Sequence, residues 1–171
     1  APLSAYAGEE TRLIKSLSVE DLEGIAAGGG WGLARAAELN GVPGPTHLLE
    51  LAEALRLTEE QRDSIEAIRL EMQAEAILAG TRFVDAERQL DRAFQGGALD
   101  LETLELLVMQ AGEARAVLRL AHLRAHLRTL PLLTQDQVSR YATLRGYSED
   151  PCSTVPDGHD PKMWRRHNGC N

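Results

Sequence analysis

From Thr58 to Phe94 the chain carries no proline and one glycine, Gly80, and its apolar residues recur with a helical period. Such a run admits one unbroken helix of about 55 Å at 1.5 Å per residue. Its start is written in Leu57-Thr58-Glu59-Glu60-Gln61. The Thr58 hydroxyl takes the Gln61 amide while the Gln61 side chain reaches back, which makes a capping box. Gln95-Gly96-Gly97 ends the run, and Asp100 caps a second long helix that stops near Leu130, just ahead of Pro131. Two long helices joined by a short glycine-rich turn must lie antiparallel. A second box, Leu133-Thr134-Gln135-Asp136-Gln137, then opens a last helix through Tyr141 to Gly146.

The first third is broken into short pieces. Ser18-Val19-Glu20-Asp21 reads as a cap with an acid in the first turn, and its helix stops at Gly28-Gly29-Gly30. "WGLARAAEL" follows and runs into Asn40-Gly41 and Pro43-Gly44-Pro45. Thr46 is placed to cap "HLLELAEAL". The expectation is an all-α fold: a hooked antiparallel long helical hairpin with short flanking helices. One helical domain covers 1–147, with capping helices in 1–57, the hairpin in 58–94 and 101–130, and the last helix in 134–146. Residues 148–171 show no helical period and read as an irregular tail.

Aromatic residues make up 4% of the 171, which suits helix-on-helix packing better than a sheet. A net charge of −8 argues against nucleic-acid binding, which needs a basic footprint. No apolar run approaches the ~20 residues of a membrane span. The glycines of "AAGGGWG" lack a preceding strand and a following Lys-Ser/Thr, so they do not form a phosphate loop; they let Trp31 turn inward between two short helices. The start at Ala1-Pro2-Leu3 fits either a mature N-terminus after signal-peptide removal or an arbitrary boundary. Cys152 and Cys170 are the only cysteines. Paired, they close the tail, contribute on the order of 3 kcal/mol, and imply an oxidising compartment; two free thiols or two metal ligands are the alternatives.

Each Leu-Thr-x-x-Gln is a good helix start on physical grounds alone. Two copies, one opening the hairpin and one following it, resemble the LTxxQ signature of the Spy/CpxP family over about residues 46–146. The resemblance implies a periplasmic protein: an ATP-independent chaperone for unfolded clients, or a heavy-metal resistance or sensor protein that signals through a membrane partner. It also implies a possible homodimer through the hairpin.

His122 and His126 sit four residues apart on the second long helix, so both imidazoles share one face and are close enough to share a metal ion. Leu123 stands where a zincin motif needs glutamate. Folding about Gly96-Gly97 sets the pair opposite roughly 66–73, where Glu66, Met72 and Glu75 are candidates. Metal-sensing relatives use a late-helix pair with a facing carboxylate. By that resemblance His122 and His126 are the pair, Glu66 the carboxylate, and His47 the third imidazole. Glu50, one turn from His47, is either a further ligand or a solvated acid. In the tail, His159 and His167 are weaker candidates, and Met163 and Trp164 are expected to dock on the bundle. Imidazoles with a carboxylate suit one transition-metal ion, copper, zinc, nickel or cobalt, rather than Ca²⁺ or Mg²⁺. The leading expectation is metal binding for resistance, buffering or sensing. A chaperone and a metalloenzyme with an open His-ligated site are the alternatives.

Overall fold

A computed structural model of the protein describes residues 1–170. Capping decides where its helices begin. Ser18 and Asp21 form a reciprocal box that opens α1, Val19–Ala26. Trp31 (φ 47°) and Gly32 (φ 67°) then hold left-handed backbone, so the "WGLARAAEL" stretch is helical only in α2, Arg35–Glu38. Gly44, not Thr46, is the cap of α3, Pro45–Glu50, because Pro45 has the φ of a first helical residue and no amide proton to satisfy. The boxes at Thr58 and Thr134 open α4, Glu59–Gln95, and α6, Gln135–Leu144. Asp100 opens α5, Leu101–Thr129, which tightens into a 3-10 turn at Leu130–Leu132. No strand occurs among the described residues.

α4 and α5 form the expected antiparallel hairpin about Gly97 (φ 70°). Arg124 pairs with Glu75 at 3.1 Å and Arg128 with Glu71, which fixes the register: four residues along one helix match four back along the other. At the open end the two boxes interlock. Gln61 Nε2 donates to Gln137 Oε1 at 2.8 Å, and Gln137 Nε2 donates to Gln61 Oε1 at 3.0 Å. Gln61 also donates to the Leu132 carbonyl, and Gln137 to that of Leu55. The repeated motif is therefore a clasp between two helix starts, each glutamine capping its own helix and gripping the other.

Two apolar clusters lie along the hairpin. Ile14, Leu17, Ile25 and Leu33 of the N-terminal segment bury against Ala76, Phe83 and Leu118. Leu48, Ala52 and Leu55 bury against Ile65 and Tyr141 at the open end. α1 approaches α4 so closely that a Cβ on Gly80 would lie 2.6 Å from Ile25 Cγ2. The N-terminal third thus wraps one side of the hairpin.

The tail departs from expectation. Asp160 caps a short helix, α7, Pro161–His167. Asp160 followed by Pro161 at the first helical position is a local start signal, too short in its apolar pattern to show a helical period. Cys152 and Cys170 are disulfide-bonded. Trp164 donates to the Pro151 carbonyl within the tail at 2.7 Å, and Met163 is exposed, so the expected docking of this pair on the bundle does not occur.

Candidate functional site

His122 and His126 lie on the α5 face that meets the N-terminal wrap, at 2% and 9% exposure. That face holds the segment by its backbone. Arg119 Nε donates to the Leu33 carbonyl at 3.2 Å, His126 Nδ1 contacts the Val42 carbonyl at 2.8 Å, and Thr129 Oγ1 donates to Pro43. Nδ1 of His126 must carry the proton, since a carbonyl only accepts. The face of its ring lies against Gly44: a Cβ there would sit 2.4 Å from His126 Nε2 and 2.6 Å from Cε1, so only glycine fits.

His122 is the anomaly. Its Nε2 is buried and has no hydrogen-bond partner, which for a polar atom costs about 1–3 kcal/mol. Burial pushes the His122 pKa down, the neighbouring His126 pushes it further, and only the adjacent Gly29 backbone works the other way. Beside His126 stands Glu38 of α2. Its Oε1 accepts from Tyr141 at 2.7 Å and Tyr147 at 2.9 Å, with Arg145 Nε 3.4 Å away. Its Oε2 has no hydrogen-bond partner and lies 3.9 Å from His126 Nδ1. Burial, and then the Glu38 carboxylate, raise the Tyr141 pKa well above its ordinary value, keeping the phenol a donor. Glu38, Thr129, Tyr141 and Tyr147 were not anticipated. The run Tyr141-Ala142-Thr143-Leu144-Arg145-Gly146-Tyr147 was the available signal, with a phenol and a guanidinium on one helix face.

The other expected ligands do not converge on this pair. The 71/128 and 75/124 pairings set Glu66 beyond His126, toward the end of α5. Its carboxylate is occupied by Arg69 through contacts of 2.6 and 2.8 Å, and the Arg69 hydrogen bond is the main cause of its lowered pKa. Met72 is half-buried on the same helix. His47 is half exposed and bonds its own neighbour Glu50, Nδ1 to Oε2 at 2.8 Å. His159 packs at a tilt against Trp164 within the tail, and His167 is exposed at the end of α7. Among the described residues no three His, Cys, Asp or Glu side chains are grouped to hold a metal ion. As folded, the donor set is one imidazole pair, with one ring engaged on a carbonyl. It does not fit a closed metal centre.

The opposite face of α5 is a second candidate. Leu106, Met109, Val117, Leu120 and Leu127 fall within roughly a quarter turn at 3.6 residues per turn, and all are exposed, Met109 and Leu127 by two thirds. They point away from the buried Ala111, Leu118, Ala121 and Ala125. Across the seam, Leu78 shares the row of Glu71 and Glu75 on α4 and is also exposed, as is Leu70. α5 therefore carries apolar side chains on both sides, with the exposed Glu113 and Arg124 interrupting the outward row. No protein-family model, curated protein or solved structure matches this chain. No helix among the described residues is long and apolar enough to cross a membrane.

Proposed function

We propose that the protein binds apolar segments of other polypeptides along the outward face of the hairpin, as an ATP-independent chaperone of the Spy/CpxP kind in the periplasm. The carrying observation is the exposed row Leu106, Met109, Val117, Leu120 and Leu127, bordered by Leu78. Each such side chain contributes about 1.5–3 kcal/mol when covered, and micromolar binding needs about 8 kcal/mol. Because they start 46–68% exposed, covering all five contributes roughly 4–9 kcal/mol before ordering costs, so a client reaches that range by covering the whole row. The interlocked LTxxQ boxes and the Cys152–Cys170 bond support the family and the oxidising compartment.

Suppression of aggregation of a heat-unfolded client is the test. The double variant Leu120→Asp, Leu127→Asp should lose it with unchanged helical content, because both side chains already face water. Full activity in that variant would end the proposal. Sedimentation of the same pair separates clients from a second copy: a dimer that the two substitutions dissociate assigns the face to self-association.

A second reading is binding of copper, zinc, nickel or cobalt at His122 and His126, for resistance, buffering or sensing. The buried Nε2 of His122, without a hydrogen-bond partner, favours it, since that nitrogen can ligate a cation in the tautomer that leaves it unprotonated. Metal analysis of untagged protein tests this, with stoichiometric metal expected in the wild type and lost in His122→Ala and His126→Ala. Metal-free wild type would remove the reading.

A further inference from the structure

The outward row of α5 has the same order of apolar and charged positions from either end. Val117 and Leu120 form its centre; four positions before Val117 stands Glu113, and four after Leu120 stands Arg124. Met109 lies beyond the first charge and Leu127 beyond the second, and all six side chains are exposed. At 1.5 Å per residue each charge sits about 8 Å from the midpoint. Among the described residues Glu113 has no ion-pair partner. Arg124 uses Nη1 on Glu75 at 3.1 Å, and its other nitrogens carry further donors. The N-terminal wrap is held by the opposite face of α5 and leaves the row open.

An apolar client laid along this row covers Glu113 without offering it a partner, and an unpaired charge taken out of water is costly. A second α5 laid antiparallel supplies the missing group. With Val117 against Leu120 of the second copy, Glu113 meets its Arg124, Arg124 meets its Glu113, and Met109 and Leu127 face each other at both ends. One patch then serves both copies about a two-fold axis. Other alignments fail on the same residues. A parallel pair in register sets Glu113 against Glu113 and Arg124 against Arg124. Sliding the antiparallel pair by one heptad lays Glu113 on Val117, or Arg124 on Leu120, so the charges select one register. We infer that the outward face closes on a second copy of this chain in that register, hiding the client row, so that the single chain is the form that binds clients. The masking rests on the client reading above; the pairing does not.

Sedimentation equilibrium of the full, oxidised chain tests the pairing. The wild type should dimerise reversibly in the micromolar range. Glu113→Arg sets arginine against arginine twice in each pair, and Arg124→Glu does the same with glutamate. Each should weaken the dimer at least about tenfold with helical content unchanged. The double variant Glu113→Arg, Arg124→Glu should recover it, and a mixture of the two single variants should form a heterodimer where neither pairs alone. Glu113→Arg disturbs no ion pair within the chain and suffices if Arg124→Glu, which faces Glu75, does not fold. A monomeric wild type, or a dimer indifferent to these charges, overturns the inference. Masking is read from suppression of client aggregation at concentrations where the wild type is paired. Monomeric Glu113→Arg should suppress more per chain than the wild type, and equal suppression by the two refutes the masking. Monomeric charge variants that suppress nothing remove the client reading, and the masking with it, and leave the pairing standing.

Discussion

His122 carries a measurable consequence of burial. Its pKa is lowered in the folded protein by desolvation first and by His126 second, while the unfolded chain titrates near 6.5. Below that value the unfolded state takes up the proton more readily than the folded one. Stability is thus full above about pH 7 and declines as pH falls through 6.5 toward the lower folded value. Thermal unfolding in metal-free buffer should show a midpoint that drops between pH 7.5 and 5.5. His122→Gln should flatten that slope, and an equal slope in both proteins would refute the assignment. The carboxylates with lowered pKa, such as Asp21, bonded to the Ser18 backbone and to Trp31, lose their contribution at more acid pH and leave this window to His122. Gly80 is a second single-residue test. Glycine to alanine within a helix is ordinarily worth about 1 kcal/mol of stabilisation. Here the new methyl meets Ile25, itself buried at 1% exposure, and overpacking of about 1–3 kcal/mol wins. Denaturant unfolding should report Gly80→Ala as less stable.

Among the elements, the two capping boxes act as one unit. Gln61→Ala and Gln137→Ala should each cost about 1–2 kcal/mol, because each strips a cap and a cross-helix partner. The double variant should cost less than the sum by at least about 0.5 kcal/mol, a coupling measured by a denaturant cycle; additive losses would contradict the clasp. Local chemistry made much of this architecture readable in the sequence. Thr58, Thr134 and Asp100 announce helix starts, Gly96-Gly97 announces the hairpin turn, and Cys152 and Cys170 have no partners but each other. What could not be read was the side each face would meet. α5 carries apolar side chains on both sides, Leu118 and Ala125 inward, Leu120 and Leu127 outward, so periodicity does not choose. The sequence sets the histidine pair against α4, whereas Arg124 and Arg128 hold that seam and the rings turn to the wrap. Glu38 was invisible because its partners, Tyr141 and Tyr147, lie more than a hundred positions away. Helix α2 is shorter than its sequence suggests because Trp31 takes a positive φ that tryptophan does not ordinarily favour, in a turn where its ring packs on Phe83 and bonds Asp21.

For the molecule as a whole, body and tail are separate in their bonding. Side-chain hydrogen bonds found for residues 149–170 stay within that segment. Reducing the disulfide should therefore make the tail protease-sensitive while the main helical melting transition stays in place, since weakly coupled regions open independently. A large downward shift of that transition on reduction would show the tail to be part of the cooperative unit. The clasp at the open end also bears on the order of events in folding. Gln61 and Gln137 are separated by 76 positions, so they cannot meet until the chain has run out along α4, turned at Gly97 and come back. Contacts near that turn close small loops and form early, whereas joining the far ends closes the longest one. The hairpin should zip from its tip, with the glutamines meeting last. Substitutions at Gln61 or Gln137 would then speed unfolding and leave the refolding rate nearly unchanged.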